Sequence, residues 1–240
     1  MQETILQLEN VRVAYGGVTA LDGCTLDVRG GEVVAVMGPN GAGKSTTLKA
    51  AFGLAPVVGG TVRWHGTKID PKPHEMLERG MSFVPQGRRV FRTLSVEENI
   101  ELGGHALKNN EERRRRREEI LELFPVLAKK RKEASGGLSG GQQQLLAIAR
   151  GLMIEPRLLL LDEPTLGLSP VAVKEVFEQI TRINAQHGTA IMVVEHNVKT
   201  LLHFVDRAFV LDHGKVAASG DPKDLDESGA LERIIMGSAS

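Results

Sequence analysis

Val33-Val34-Ala35-Val36-Met37-Gly38-Pro39-Asn40-Gly41-Ala42-Gly43-Lys44-Ser45-Thr46 is the stretch on which the fold turns. Five apolar residues without a charge read as a short strand covered on both faces. Glycines at 38, 41 and 43 then free the backbone, and 47–52 carries a helical pattern. Strand, G-x-x-x-x-G-K-[ST] turn and helix, in that order, make a phosphate-cradling loop. Backbone N–H groups of such a loop curl around phosphate oxygens, and the helix start adds the positive end of its dipole. Lys44 is the expected cation for the β- and γ-phosphates, and the Ser45 hydroxyl the expected Mg2+ ligand, so ATP with Mg2+ is the predicted ligand pair. A glycine-rich turn without that role has no need of a lysine and a hydroxyl at those offsets.

Further out, 158–163 reads Leu-Leu-Leu-Leu-Asp-Glu. A buried strand ending in two acids delivers them to the crevice outside the carboxyl end of a parallel sheet. Asp162 is expected in the outer shell of Mg2+, through water, and Glu163 is expected to orient or deprotonate the attacking water. Alone, apolar-then-acidic runs are common; the upstream loop gives this one its meaning. Short apolar runs at 82–85 and 191–195 predict further parallel strands. Residues 6–13 and 24–28 alternate apolar and polar, as antiparallel strands with one wetter face do. From about 95 to 150 the pattern is helical. The predicted class is α/β: a P-loop NTPase core with a parallel sheet, an N-terminal antiparallel β subdomain and an inserted α-helical subdomain. One domain over 1–240 is expected, its core at about 1–94 and 151–240 and its helical subdomain at about 95–150.

Leu138-Ser139-Gly140-Gly141-Gln142 resembles the signature motif of ABC ATPases, and Gln143 and Gln144 continue it into a helix. Ser139, Gly140 and Gly141 offer a hydroxyl and bare N–H groups at a helix start, a second anion site in one chain. In that family this site acts in trans, closing over the γ-phosphate held by the other protomer. Gln86, after 82–85, resembles the glutamine that approaches Mg2+ and links the core to the helical lobe. His196, after 191–195, resembles the switch histidine at the γ-phosphate, and Tyr15, the only tyrosine, the aromatic that stacks on adenine. Alone, the three would pass for a polar loop residue, a satisfied histidine and a buried ring. The resemblance runs from about residue 5 to 237.

Three phrases are similar to ATPase subunits of branched-chain amino acid importers and of the urea-type and short-amide importers. They are Gly87-Arg88-Arg89-Val90-Phe91, Leu94-Ser95-Val96-Glu97-Glu98-Asn99 and Glu163-Pro164-Thr165-Leu166-Gly167-Leu168. Many cassettes carry an aspartate where Ser169 stands, and the importer subfamily often lacks it too. The resemblance implies two cassettes, identical or related, sandwiching two ATP molecules head to tail. It also implies an integral membrane permease docked near Gln86 and, indirectly, a periplasmic or extracellular solute-binding protein. Uptake of branched-chain amino acids or a similar small amide or amino acid solute is the implied work. A lipid or lipopolysaccharide exporter cassette is one alternative. Another is a soluble ABC ATPase acting on RNA or ribosomes, though such factors usually carry two cassettes or a long coiled-coil insertion.

Composition agrees with this frame. The 240 residues are 41% apolar and 25% charged, and thirty Lys and Arg balance thirty Asp and Glu. No net field favours nucleic acid or an anionic membrane, and no nucleic-acid partner is expected. No run approaches the ~20 apolar residues that span a bilayer. The first residues show no basic-then-apolar signal pattern, so a cytoplasmic chain held at the inner face of the membrane through its permease is expected. The single cysteine, Cys24, is expected to be a small buried hydrophobe. The run 111–119, five arginines between glutamate pairs, is expected to be a solvated helix face laced with i,i+4 pairs.

Overall fold

The computed structural model describes residues 3–195, 201–227, 229 and 233–234. Among them lie a four-stranded antiparallel sheet and a six-stranded, mostly parallel one. The first is built from β1 (Thr4–Tyr15), β2 (Val18–Arg29), β4 (Val57–Trp64) and β5 (Thr67–Ile69), in the order β2-β1-β4-β5. The second contains β3 (Val33–Met37), β6 (Met81–Val84), β7 (Leu158–Asp162), β8 (Ala190–Val194), β9 (Arg207–Asp212) and β10 (Lys215–Gly220). Its order is β10-β9-β3-β8-β7-β6, with only β10 antiparallel to its neighbour.

Strands β3, β7 and β8 are buried at every residue, which is why they carry no alternation in sequence. Their side chains still divide by the strand period of two. Val33, Ala35, Met37, Leu159, Leu161, Ile191 and Val193 join one core with the helices α3 (Val96–Gly103), α4 (Asn110–Leu123), α5 (Pro125–Ala128), α6 (Gly140–Gly151) and α7 (Pro170–His187). Val34, Val36, Leu158, Leu160, Met192 and Val194 join another with α1 (Lys44–Phe52) and the antiparallel sheet. The parallel sheet is therefore the middle layer of three. Two short helices, α2 (Pro73–Glu78) and α8 (Pro222–Glu227), complete the described elements.

The predicted strands all form, Val33–Met37 and Leu158–Asp162 with the expected bounds and the others with shifted ends. The strand at 82–85 is Met81–Val84, because Pro85 has no N–H to give a ladder. The strand at 191–195 is Ala190–Val194, leaving Glu195 beyond its end. The helix at 47–52 begins earlier, at Lys44, and β1 and β2 are much longer than predicted. A helical pattern that the sequence also suggests at 231–236 lies mostly outside the described residues. Cys24 is buried, its sulfur 4.0 Å from the Thr47 hydroxyl.

The arginine run departs from expectation at Arg113, Arg116 and Arg117. Arg115 pairs with Glu119 at i,i+4 as predicted, but Arg116 is buried, donating to Glu119 and to the carbonyl of Leu152, just past the end of α6. Arg117 pairs with Glu101 and Glu118, and Arg113 donates to the Leu107 carbonyl. Much of the run serves to staple α4 to its neighbours.

Candidate functional site

Strands β3, β8, β7 and β6 lie side by side and parallel, so their carboxyl ends open on one crevice. The loop after β3 turns through Gly38, Gly41 and Gly43 at φ 143°, 81° and 101°. Gly43, like Gly38, leaves no room for a side chain: a Cβ there would lie 2.6 Å from both the Ala20 carbonyl and the Leu21 side chain. The chain can thus wrap closely only without a side chain at that point. Lys44 opens α1, and its ammonium donates to the carbonyls of Gly38 (2.9 Å) and Pro39 (2.8 Å), fixing the cation across the loop. Burial lowers the Lys44 pKa, while the charges of Glu163 and Asp162 oppose that shift.

From β7 come the two acids. The Ser45 hydroxyl donates to Asp162 Oδ1 at 2.6 Å, joining the loop to the strand end. Burial raises the Asp162 pKa, against the opposing effects of the Ser45 hydrogen bond and of Lys49. Glu163 adopts a left-handed φ of 48°, and its N–H donates to the Val194 carbonyl of β8 at 3.0 Å. A non-glycine residue held there is strained, and the neighbouring strand holds it in place. The Gln86 amide donates to Glu163 Oε2 at 2.6 Å, so the loop after β6 meets the glutamate. Lys44, Ser45, Asp162, Glu163 and Gln86 therefore form one cluster, as their order in sequence predicts.

The other predicted residues lie on neighbouring elements. Tyr15 ends β1 and is 42% exposed, on the hairpin whose Ala20 and Leu21 pack against Gly43. Leu138 is buried. Ser139 caps α6 in a reciprocal box: its hydroxyl accepts from the Gln142 N–H (3.3 Å), and Gln142 Oε1 accepts from the Ser139 N–H (3.1 Å). Gly140 and Gly141 open the helix behind it. Asn40, Ala42 and Thr46 complete the loop and the first turn of α1, and His196 lies outside the described residues.

A nucleotide triphosphate fits this arrangement, since the glycine loop, the Lys44 cation and the start of α1 all present positive charge to one place. Mg2+ fits as well. Ser45 and Asp162 are hard oxygen donors, and few protein ligands suit an ion that is shared with phosphates and water. Residues 21–166 match the family described as ABC transporter.

This chain belongs to the ABC transporter family. As a cassette of that family it binds ATP and is an ATPase. It is 38% identical over 213 residues to the high-affinity branched-chain amino acid transport ATP-binding protein BraG of Pseudomonas aeruginosa, covering 88% of this chain and 91% of that one. An ABC transporter cassette solved in its ADP conformation superposes with a TM-score of 0.87 at 28% identity, over 98% of this chain and 99% of that one. A dimeric cassette in a post-hydrolysis state with ADP and Pi gives a TM-score of 0.79 at 30% identity, over 91% and 99%.

Two residues of the cassette escape sequence reasoning. Glu195, 3% exposed, accepts the Thr165 N–H at 2.7 Å and so fixes the loop that follows Glu163. Its signal was an acid at the end of an apolar run, the same signal that marked Asp162. Asn99, fully buried, ties the segment after Gln86 to the turn before the signature motif through Phe91, Leu94, Ser95 and Ser135. A lone asparagine in a helix gives no such signal.

Proposed function

We propose that this cassette is the ATP-binding subunit of an importer for branched-chain amino acids or a similar small amide or amino acid solute. The observation that carries the reading is the double junction at the strand ends, Ser45 to Asp162 and Gln86 to Glu163, each at 2.6 Å. It gathers a phosphate loop, a metal-ligand pair and a base on one spot. Similarity to BraG supports the solute class.

In this reading the loop residues 38–46 and Lys44 hold the phosphates, and Tyr15 lies under the adenine. Ser45 and Gln86 would hold Mg2+, with Asp162 acting through water; the ion would neutralise charge on the phosphates. Glu163 accepts a proton from the attacking water, or orients it, while Gln86 sets the carboxylate's direction. The γ-phosphate contact of the switch histidine falls by resemblance to His196, outside the described residues. Ser139, Gly140 and Gly141, at the start of α6, serve a second cassette's nucleotide; no hydrogen bond among the described residues joins them to the loop cluster. Hydrolysis then releases the bridge between two cassettes, a two-state element that a membrane partner can use.

The permease would seat in an open groove of about 630 Å³ between β6 and the helices, lined by Pro85, Phe91, Leu102, Ala147 and Arg150. Among the described residues no helix is long and apolar enough to cross a membrane, so attachment at the inner face falls to that partner. Residues 95–150 act as the lobe that turns against the core. The test is Glu163→Gln, which keeps the binding groups and removes the base. With ATP and Mg2+ it accumulates dimer in light scattering and hydrolyses no ATP; a monomeric, fully active variant defeats the assignment.

A further inference from the structure

The loop after Gln86 does more than reach Glu163. Gly87 and Arg88 follow each other in the left-handed region, at φ 96° and 50°. For arginine that backbone is disfavoured, and here it turns the side chain toward α6. A Cβ placed on Gly140 would collide with Arg88 Nη1, and one on Gly167 would lie 3.6 Å from Arg88 Nη2. The guanidinium therefore occupies the notch between the first turn of the signature helix and the loop that follows Glu163.

Among the described residues Arg88 has no hydrogen-bond or ion-pair partner, although it is half-buried. Its neighbour Arg89, in contrast, donates to the Gln86 carbonyl. A partly desolvated cation without an anion costs stability unless something else supplies the anion. The surrounding surface is also uncovered and apolar: Leu166 is 50% exposed and Val171 70%, on either side of Gly167. Such a face fits a second protein surface, and Arg88 supplies the charge that selects what that surface carries.

We infer that Arg88 is a phosphate-contacting residue of the shared site, its guanidinium meeting the terminal phosphate of ATP held by a second copy of this chain, beside Ser139 and Gly140. The inference rests on the two-cassette reading above. A guanidinium fork matches phosphate oxygens in pairs, and a cation brought by the opposite chain adds charge stabilisation only once the two have closed. ADP lacks the phosphate in question, so the contact distinguishes the nucleotide before hydrolysis from the one after it. The same short loop then touches the glutamate of its own site and the phosphate of the other.

The experiment uses the full chain carrying Glu163→Gln, with ATP and Mg2+, and reads the dimer dissociation constant by sedimentation velocity. Adding Arg88→Ala is expected to weaken the dimer on the order of tenfold or more, the worth of a charged hydrogen bond. Adding Arg88→Lys gives an intermediate value, and circular dichroism confirms that each variant is folded. Binding of a fluorescent ADP to dilute monomer stays unchanged, because that site uses the chain's own loop. A dimer as tight with alanine as with arginine overturns the inference while leaving the two-cassette reading intact. Equal loss of ADP binding in the monomer also overturns it, placing Arg88 in its own chain's site. A parent Glu163→Gln chain that stays monomeric in ATP overturns the shared site, and this inference with it.

Discussion

Asn99→Ala tests whether one buried side chain holds the two loops that flank the site. Asn99 Oδ1 accepts the Phe91 N–H at 2.8 Å. Its Nδ2 donates to the carbonyls of Phe91 (3.0 Å), Leu94 (3.3 Å) and Ser95 (2.9 Å) and lies 3.2 Å from Ser135 Oγ. With alanine, most of these groups keep another partner. The Phe91 carbonyl still accepts from the Leu94 N–H and the Ser135 hydroxyl, the Leu94 carbonyl from the Ser135 N–H, and the Ser95 carbonyl from the N–H of residue 99. Only the Phe91 N–H loses its one partner. The orphaned Phe91 N–H is only part-buried, so its loss costs about 1–2 kcal/mol, and the two net hydrogen bonds lost by Nδ2 add about 1 kcal/mol each, for a total of about 3–4 kcal/mol. For a chain of this length each kcal/mol moves Tm by roughly 2–4 °C, so a fall of about 10 °C is expected. Fluorescence of the single, buried Trp64 follows the melt. Asn99→Asp keeps the acceptor but turns an oxygen on three carbonyls, so near neutral pH it is expected to be worse than alanine. A fall of less than roughly 3 °C for alanine, or an aspartate tolerated as well as asparagine, refutes the network.

Other outcomes follow from the same geometry. Burial raises the pKa of Asp162, so its ionisation costs nothing while the carboxyl is protonated in both states, and costs stability as pH climbs out of the usual aspartate range. Asp162→Asn should therefore raise Tm near pH 7 without nucleotide, and the gain should fade toward about pH 4 in melts across that range; a constant difference contradicts it. The Cys24 thiol is pushed up to about 11 by burial, so a thiol reagent near pH 8 should label it only on unfolding. Rapid labelling of the native chain would show the β2–α1 contact to be open. Arg116→Met removes a buried guanidinium whose Nε has no partner and should cost less stability than Ile120→Ala on the same helix, compared in urea midpoints. The reverse order would make the Arg116 pairs the stronger tie.

The site was more legible than the sheet that frames it. Residues 38–46, Asp162, Glu163 and Gln86 stand directly at strand ends, so sequence order alone places them in one crevice. The unanticipated strands carry weaker signals. β4 has Gly59 and Gly60 in its middle, and Gly60 is there because a Cβ would lie 2.6 Å from the Glu9 carbonyl of β1. That contact is tertiary, and locally the pair reads as a turn. β10 is an edge strand with alternating exposure and one large apolar residue, Val216, while β9 carries an Ala-Phe-Val-Leu run that could have been read as a buried strand. Glu195 and Asn99 act through hydrogen bonds to backbone outside their own elements, at separations of 30 and 8 residues for Thr165 and Phe91. Neither spacing has a sequence pattern. Arg88 stood in view within the importer-like phrase, but its lack of a partner is a fact of three dimensions.

The measurement that bears most directly on the shared site is a mixing experiment with two inactive chains. Lys44→Ala removes the cation that spans the phosphate loop and is expected to lose most ATP affinity. Ser139→Arg blocks the signature face and spares the loop. In a mixed dimer, the intact loop of one chain meets the intact signature of the other, so one of its two sites is whole. With random pairing, half the dimers are mixed, and ATPase activity should return to about a quarter of the wild-type value. Two silent proteins that regain activity on mixing are the result expected of a site built from two chains. Activity in Ser139→Arg alone, or two silent chains that stay silent when light scattering shows them paired, would contradict it.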